Sequence, residues 1–235
     1  MSFSQSPPLT PSESIVGSYF RTRFRPNAAR SSVWKSITQY LAPIWNLSAD
    51  AHVLELGTGY GSWIQNVSAA RRTALDINPA LPEIFESHGV KGVHALVGSC
   101  IDLQMIPTSS VDLVLASNLL EHLTLDDAIR CIGEMHRVLK PRGQVCIIQP
   151  NFALKPREYF DDFTHRTIFT HVSLRDLFES LGFTTEHLWK RFMPFSMRPS
   201  TARLAFLVPF YLRSPFKPAA GQMCLVARKA SDEVR

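Results

Sequence analysis

From about Ser31 onward the chain alternates between short runs that are apolar throughout and longer stretches with apolar residues at helical spacing. Val33, Trp34, Ile37, Tyr40 and Leu41 predict an opening helix that Pro43 ends. A short apolar run at 52–57, stopped by glycines, predicts a buried strand, and 62–70 the helix that follows it. Further strands are predicted at 73–77, 93–97 and 111–116, with helices at 81–88 and 126–139. Pro141, Arg142 and Gly143 predict a turn into a fifth strand at 144–149. Ser173 is predicted to cap a helix at 173–181 that stops at Gly182, and the last two strands are 184–189 and 222–227. Strands apolar on both faces, alternating with amphipathic helices, require a parallel sheet covered on both sides. The predicted fold is a doubly wound α/β domain.

Composition agrees with a single packed domain. Of 235 residues, 45% are hydrophobic and 19% charged, enough apolar surface for a sizeable core. The domain is expected over 14–230, after a lead-in at 1–13 that has no basic start or apolar run, and before a tail at 231–235. Cys100, Cys131, Cys146 and Cys224 are widely spaced without a C-x-x-C pair, which reads as reduced core residues of a cytoplasmic protein. The net charge of +5 is divided unevenly: about +3 over 1–30, −4 over the middle, and +6 over 186–235. Such ends suit an anionic substrate or a membrane surface better than nucleic acid, because no basic cluster interleaves with aromatics in a recognisable module.

The first strand ends in Glu55-Leu-Gly57-Thr58-Gly59-Tyr-Gly61. Glycines are needed where backbone approaches a ligand or takes positive φ. A dinucleotide fingerprint would place its third glycine at position 62, which is Ser62, and no Walker lysine follows. The second strand ends in Asp76, where a carboxylate can accept both hydroxyls of a ribose.

With these motifs the chain resembles the class I S-adenosylmethionine-dependent methyltransferases, in their small-molecule (type 11) branch. The resemblance runs from Val53 to about Asn151. It rests on Val53-Leu-Glu-Leu-Gly-Thr-Gly-Tyr-Gly61, Ala74-Leu-Asp-Ile-Asn78, Val111 to Asn118, Leu120-Glu-His-Leu123 and Arg137 to Gly143, in that order. It implies a Rossmann-like methyltransferase fold with seven strands, the last antiparallel, and S-adenosyl-L-methionine as cofactor. It also implies that Glu55 holds the cofactor's ammonium and that Gly57, Thr58, Gly59 and Gly61 wrap its methionine portion. Asp76 would bind the ribose, Ile77 would pack on the adenine, and Ser117 and Asn118 would lie under the sulfonium. The family's acid after the third strand is Ser99 here, followed by Cys100, whose backbone amide could serve a ring nitrogen.

Methyl transfer to an alcohol or phenol calls for a base near neutrality, a role that suits histidine. His165, in the loop after the fifth strand, and His122, after the fourth, are the candidates; His88, His94 and His171 read as peripheral. Each candidate could equally serve as a loop anchor. Asp161, Asp162 and His165 could also suggest a metal, but the acids a catechol-type magnesium site needs are absent at Ser117-Asn118 and Gln149-Pro150-Asn151, so no metal is expected.

The stretch 190–221 combines twelve large apolar residues with five prolines and scattered basic residues. It is expected to be a lid over an apolar acceptor, a dimer interface or a lipid contact. Tyr19 to Arg25 would form the second wall of such a pocket. The expected partner is a small-molecule acceptor methylated at oxygen, in a monomer or homodimer. A lipid-linked or glycan acceptor at a membrane, an N-methyltransferase, and a non-catalytic partner subunit are the alternatives.

Overall fold

A computed structural model of the chain describes residues 28–194 and 205–230. In chain order the elements are α1 (Ala28–Trp45), β1 (His52–Leu56), β2 (Arg71–Asp76), α2 (Leu81–Ser87), β3 (His94–Val97) and β4 (Val111–Ser117). A 3-10 turn (Leu120–His122), α3 (Leu125–Val138), β5 (Leu139–Pro150), α4 (Pro156–Tyr159) and α5 (His171–Ser180) follow. The chain closes with β6 (Phe183–Pro194), α6 (Val208–Arg213) and β7 (Ala220–Lys229). All seven strands share one sheet in the order β3-β2-β1-β4-β5-β7-β6, and β7 runs antiparallel to both of its neighbours. The doubly wound sheet with a reversed last strand is therefore observed.

Both faces are covered because the central strands are apolar throughout. Val114 and Ala116 of β4 pack under Ile132, Met135, Leu174 and Phe178 of α3 and α5. Leu113 and Leu115 face the opposite layer, with Trp34 and Leu41 of α1, Phe85 of α2 and Val208 and Leu212 of α6. The chain reverses between β1 and β4, so the carboxyl ends of those two strands open onto the crevice where such sheets bind ligands.

Five local expectations need correction. Pro43 lies inside α1, which continues to Trp45, because Trp45 is buried edge-on against Trp63 with ring centroids 5.8 Å apart. Residues 62–70 form turns rather than a helix. The Ile64 amide donates to Glu55 Oε2 at 3.2 Å, and the Asn66 amide turns to the Trp63 carbonyl at 2.7 Å instead of the Ser62 carbonyl that a helix would use. The Gln65 and Asn66 side chains bond back to the Gly61 and Ser62 carbonyls at 3.0 and 2.8 Å, competing with the helical ladder. Ser173 is not the N-cap of α5; Thr170 is, and Ser173 sits at N3, returning a bond to the Thr170 amide.

Pro141 to Gly143 lie within β5 as an irregularity, with the positive φ of 64° at Arg142. The stretch 190–221 is not a continuous loop. β6 carries its first residues to Pro194, with Phe192 and Met193 buried, and α6 occupies 208–213. Phe206, Phe210 and Phe216 of this stretch are exposed. Residues 195–204, and the proposed pocket wall at Tyr19 to Arg25, lie outside the described residues.

Candidate active site

The turn after β1 is built on positive φ at Gly57, Gly59 and Gly61 (67°, 54° and 66°), which side chains rarely adopt. A Cβ at Gly61 would also meet the Phe85 ring at 3.0 Å. This geometry folds the turn back over Glu55, whose Oε2 accepts from the Thr58 hydroxyl at 2.7 Å as well as from Ile64. Glu55 is 4% exposed, and burial pushes its carboxyl up to about 8 despite those bonds. Asp76, at the end of β2, accepts the Gly59 amide on Oδ2 at 2.8 Å and the Asn78 amide on Oδ1 at 3.0 Å. Its carboxyl too is raised by burial. A carboxylate has about four acceptor positions, so each oxygen retains capacity for a further donor.

A cavity of about 210 Å³ opens at this end of the sheet. It brings together Glu55, Gly57, Thr58, Ser117, Asn118, His122 and His165 of the expected site. Asn118 adopts φ 50° and accepts from Gln222 of β7 at 3.0 Å, which fixes the end of β4. Gly59, Gly61, Asp76, Ile77, Ser99 and Cys100 of the expected site are not among the residues lining this cavity. Ile77 stands 65% exposed just past β2, and Ser99 turns its hydroxyl toward the Ile101 amide at 3.5 Å. The Cys100 side chain is buried beside Cys131.

The loop after β5 is clamped onto the 3-10 turn after β4. The Glu121 carbonyl accepts from the amides of Arg166 at 2.7 Å and Thr167 at 3.2 Å, and the Thr167 hydroxyl donates to the Leu123 carbonyl at 2.7 Å. This clamp brings the His122 and His165 rings to 5.0 Å between centroids, so both candidate bases face one another.

Their tautomers follow from their partners. The Thr164 hydroxyl gives its single proton to Asp162 Oδ1 at 2.6 Å, so it accepts from His122 Nδ1 at 2.9 Å. His165 Nδ1 donates to the Tyr159 carbonyl at 2.6 Å. Both rings therefore carry the basic lone pair on Nε2. Burial and the neighbouring His165 lower His122 to about 4, so it is neutral at physiological pH.

The cavity residues that escaped the sequence reading include Arg30 and Trp34 from α1, Glu121, Glu158 and Gln222. The first two arrive through the packing of α1, which periodicity alone cannot place. Glu121 had a signal in its apolar neighbours, Leu-Leu-Glu-His-Leu, which place it in a buried turn. Arg30 lies at the Glu55 end of the cavity, and burial lowers its guanidinium from the usual range while Glu55 opposes the shift.

The sheet order, the reversed β7 and the glycine turn at the end of β1 define a Rossmann-like methyltransferase fold. A family model described as "Methyltransferase domain" matches residues 24–188, and the chain belongs to that family of enzymes. Among solved structures, the chain is similar to a SAM-dependent methyltransferase from Archaeoglobus fulgidus at 18% identity, covering 91% of this chain and 99% of that one with a TM-score of 0.63. It is similar to one from Mesorhizobium loti at 17% identity, with coverages of 80% and 97% and a TM-score of 0.58. The [4+2]-cyclase SpnF, at 19% identity, coverages of 84% and 81% and a TM-score of 0.60, has the same fold. No curated protein matches the chain by sequence.

The Glu55 carboxyl makes stability pH-dependent. Its folded pKa of about 8 lies above the ordinary 4.5, so the folded state holds a proton that the unfolded state releases. This contribution is complete below about 4.5 and is lost as pH rises through 8. Glu55→Gln, which cannot ionise, is expected to flatten the decline of stability between those values, read from urea midpoints across pH. An unchanged slope would show that Glu55 does not titrate in that range.

Proposed function

We propose that the protein transfers a methyl group from S-adenosyl-L-methionine to a hydroxyl oxygen of a small molecule. The observation that carries the cofactor reading is the pairing of a buried acid, Glu55, which a bound ammonium would ionise, with a cation, Arg30, at one end of the cavity. That pair complements the ammonium and carboxylate of a free amino acid. The glycine turn beside it brings backbone close, and Asp76 and Ile77 stand beyond it at the end of β2, where a ribose and an adenine would reach. Ser99 and the Cys100 amide are assigned to the far edge of the adenine, and Ser117 and Asn118 to the floor beneath the sulfonium. The names of the similar methyltransferases support the same cofactor. When bound, S-adenosylmethionine supplies an activated methyl on a sulfonium, so the protein's task is alignment and removal of one proton.

The opposite end of the cavity is where the acceptor binds. His122 and His165 present basic Nε2 positions there, with Asp161, Asp162 and Glu158 along the wall. Two imidazoles that accept protons favour an acceptor arriving with one to lose, a hydroxyl rather than a neutral amine. His165 takes this role in preference to His122, whose basicity is lowered by burial.

Isothermal titration tests the cofactor reading. Wild type is expected to bind S-adenosylhomocysteine, and Asp76→Ala to weaken it at least about tenfold by removing charge-assisted bonds to the ribose. Equal affinity would place the ribose elsewhere. Once an acceptor is in hand from a panel of phenols and alcohols, His165→Ala is expected to lower kcat by roughly 10²–10⁴ while S-adenosylhomocysteine affinity is kept. A change confined to the acceptor KM would reduce His165 to a loop anchor.

A further inference from the structure

Glu121 is the most unusual group in the molecule. Its side chain is 0% exposed, and neither carboxylate oxygen has a hydrogen-bond partner. A buried carboxylate without a donor costs several kcal/mol, and native proteins compensate such groups with a cation or a shared proton. Glu121 lines the acceptor end of the cavity together with His122 and His165. Glu121 Oε1 lies 3.9 Å from His122 Nε2, and one ligand atom from each of the three residues falls within 4.8 Å of the others. The surroundings point the same way. Thr164 and the Tyr159 carbonyl fix the two Nδ1 positions as donors, which directs the Nε2 lone pairs into the cluster. Three potential ligand atoms converge there, one of them on a buried carboxylate.

We infer that Glu121, His122 and His165 form a binding site for one divalent first-row transition-metal ion. Two imidazoles and one carboxylate suit zinc, iron, cobalt or manganese rather than magnesium or calcium, which take oxygen sets. Bonds of about 2.0–2.2 Å would require the three side chains to close by roughly 1 Å. The outer partners are those that orient metal-bound histidines: a backbone carbonyl on one, and a carboxylate reached through a hydroxyl on the other. Among the described residues three protein ligands are offered, so coordination positions remain on the side that faces the cavity.

The site stands on its own three residues; its role toward the acceptor rests on the methyl-transfer reading. There the ion takes the acceptor oxygen and lowers its pKa, and the hydroxyl proton leaves to water. The oxygen lone pair then forms the new bond to the methyl carbon as the carbon–sulfur bond breaks, its electron pair remaining on sulfur. In this scheme His122 and His165 act as ligands, so His165 assists the proton's departure through the ion. The absence of acids at the ends of β4 and β5 spoke against a magnesium site, but that argument counted neither Glu121 nor a nitrogen-rich set.

Cobalt(II) titrated into untagged, chelator-treated full-length protein tests the inference, followed by visible absorption and calorimetry. One equivalent is expected to bind with visible d–d bands, and zinc to displace it. His165→Ala and Glu121→Gln are each expected to weaken cobalt at least about tenfold, whereas His88→Ala, on the exposed surface, is expected to leave it unchanged. Circular dichroism checks that each variant folds, and His165→Asn replaces any that does not. No cobalt binding, binding that survives both substitutions, or binding of magnesium alone would overturn the site. S-adenosylhomocysteine titration on the same samples keeps the two readings apart. Cofactor binding without cobalt removes the metal and leaves the methyltransferase, and the reverse result retains the metal and removes the cofactor reading.

Discussion

The rest of the site depends on one buried carboxylate at the end of the first strand. Glu55 is held almost out of water, and it compensates by drawing in the Thr58 hydroxyl and the Ile64 amide. The regular ladder breaks at Asn66, whose amide turns to the Trp63 carbonyl at 2.7 Å while its side chain takes the Ser62 carbonyl, so the segment stays a tight series of turns. Those turns keep Trp63, Ile64 and Val67 in the core, while the glycines curl backbone over the cavity. Asp76 completes the arrangement by holding the Gly59 amide from the neighbouring strand. One acid thus shapes the turn and a second fixes its tip, at a cost in desolvation that a bound cation, such as an ammonium, would offset.

The other end of the cavity is organised by backbone. The Glu121 carbonyl receives two amides of the loop after β5, and that clamp, not the sequence separation of 43 residues between them, brings His122 and His165 together. Because the clamp uses main chain, the Glu121 side chain is left to point into the cavity with no partner. The two ends therefore differ chemically. One is a buried acid beside a guanidinium, suited to an amino acid, and the other a cluster of acceptors suited to a proton or a metal ion.

Much of this was legible in the sequence, for identifiable reasons. The central strands are apolar at every position, and such runs leave only the parallel, doubly covered sheet. Gly57, Gly59 and Gly61 sit where positive φ is needed, so the turn could be located from composition alone. The 62–70 helix was misjudged because hydrophobic spacing is blind to a side chain such as Asn66 competing for a backbone carbonyl. Arg30 and Trp34 were missed because they reach the cavity only through the packing of α1 across the sheet. Glu121 was overlooked beside the more familiar His122, although its apolar neighbours already marked it as buried. The Ser173 cap was displaced by three residues because Thr170 and Ser173 form a reciprocal pair, and spacing does not say which end of the pair is the cap.

The central claim is that one cavity joins an amino-acid-binding end to a histidine–carboxylate end, with methyl transfer between them. A crystal structure of the protein with S-adenosylhomocysteine bound tests it most directly. The account predicts the ligand's amino-acid group between Glu55 and Arg30, its ribose at Asp76 and its sulfur turned toward His122 and His165. A ligand bound outside this cavity, or one whose sulfur faces away from the two histidines, would contradict it.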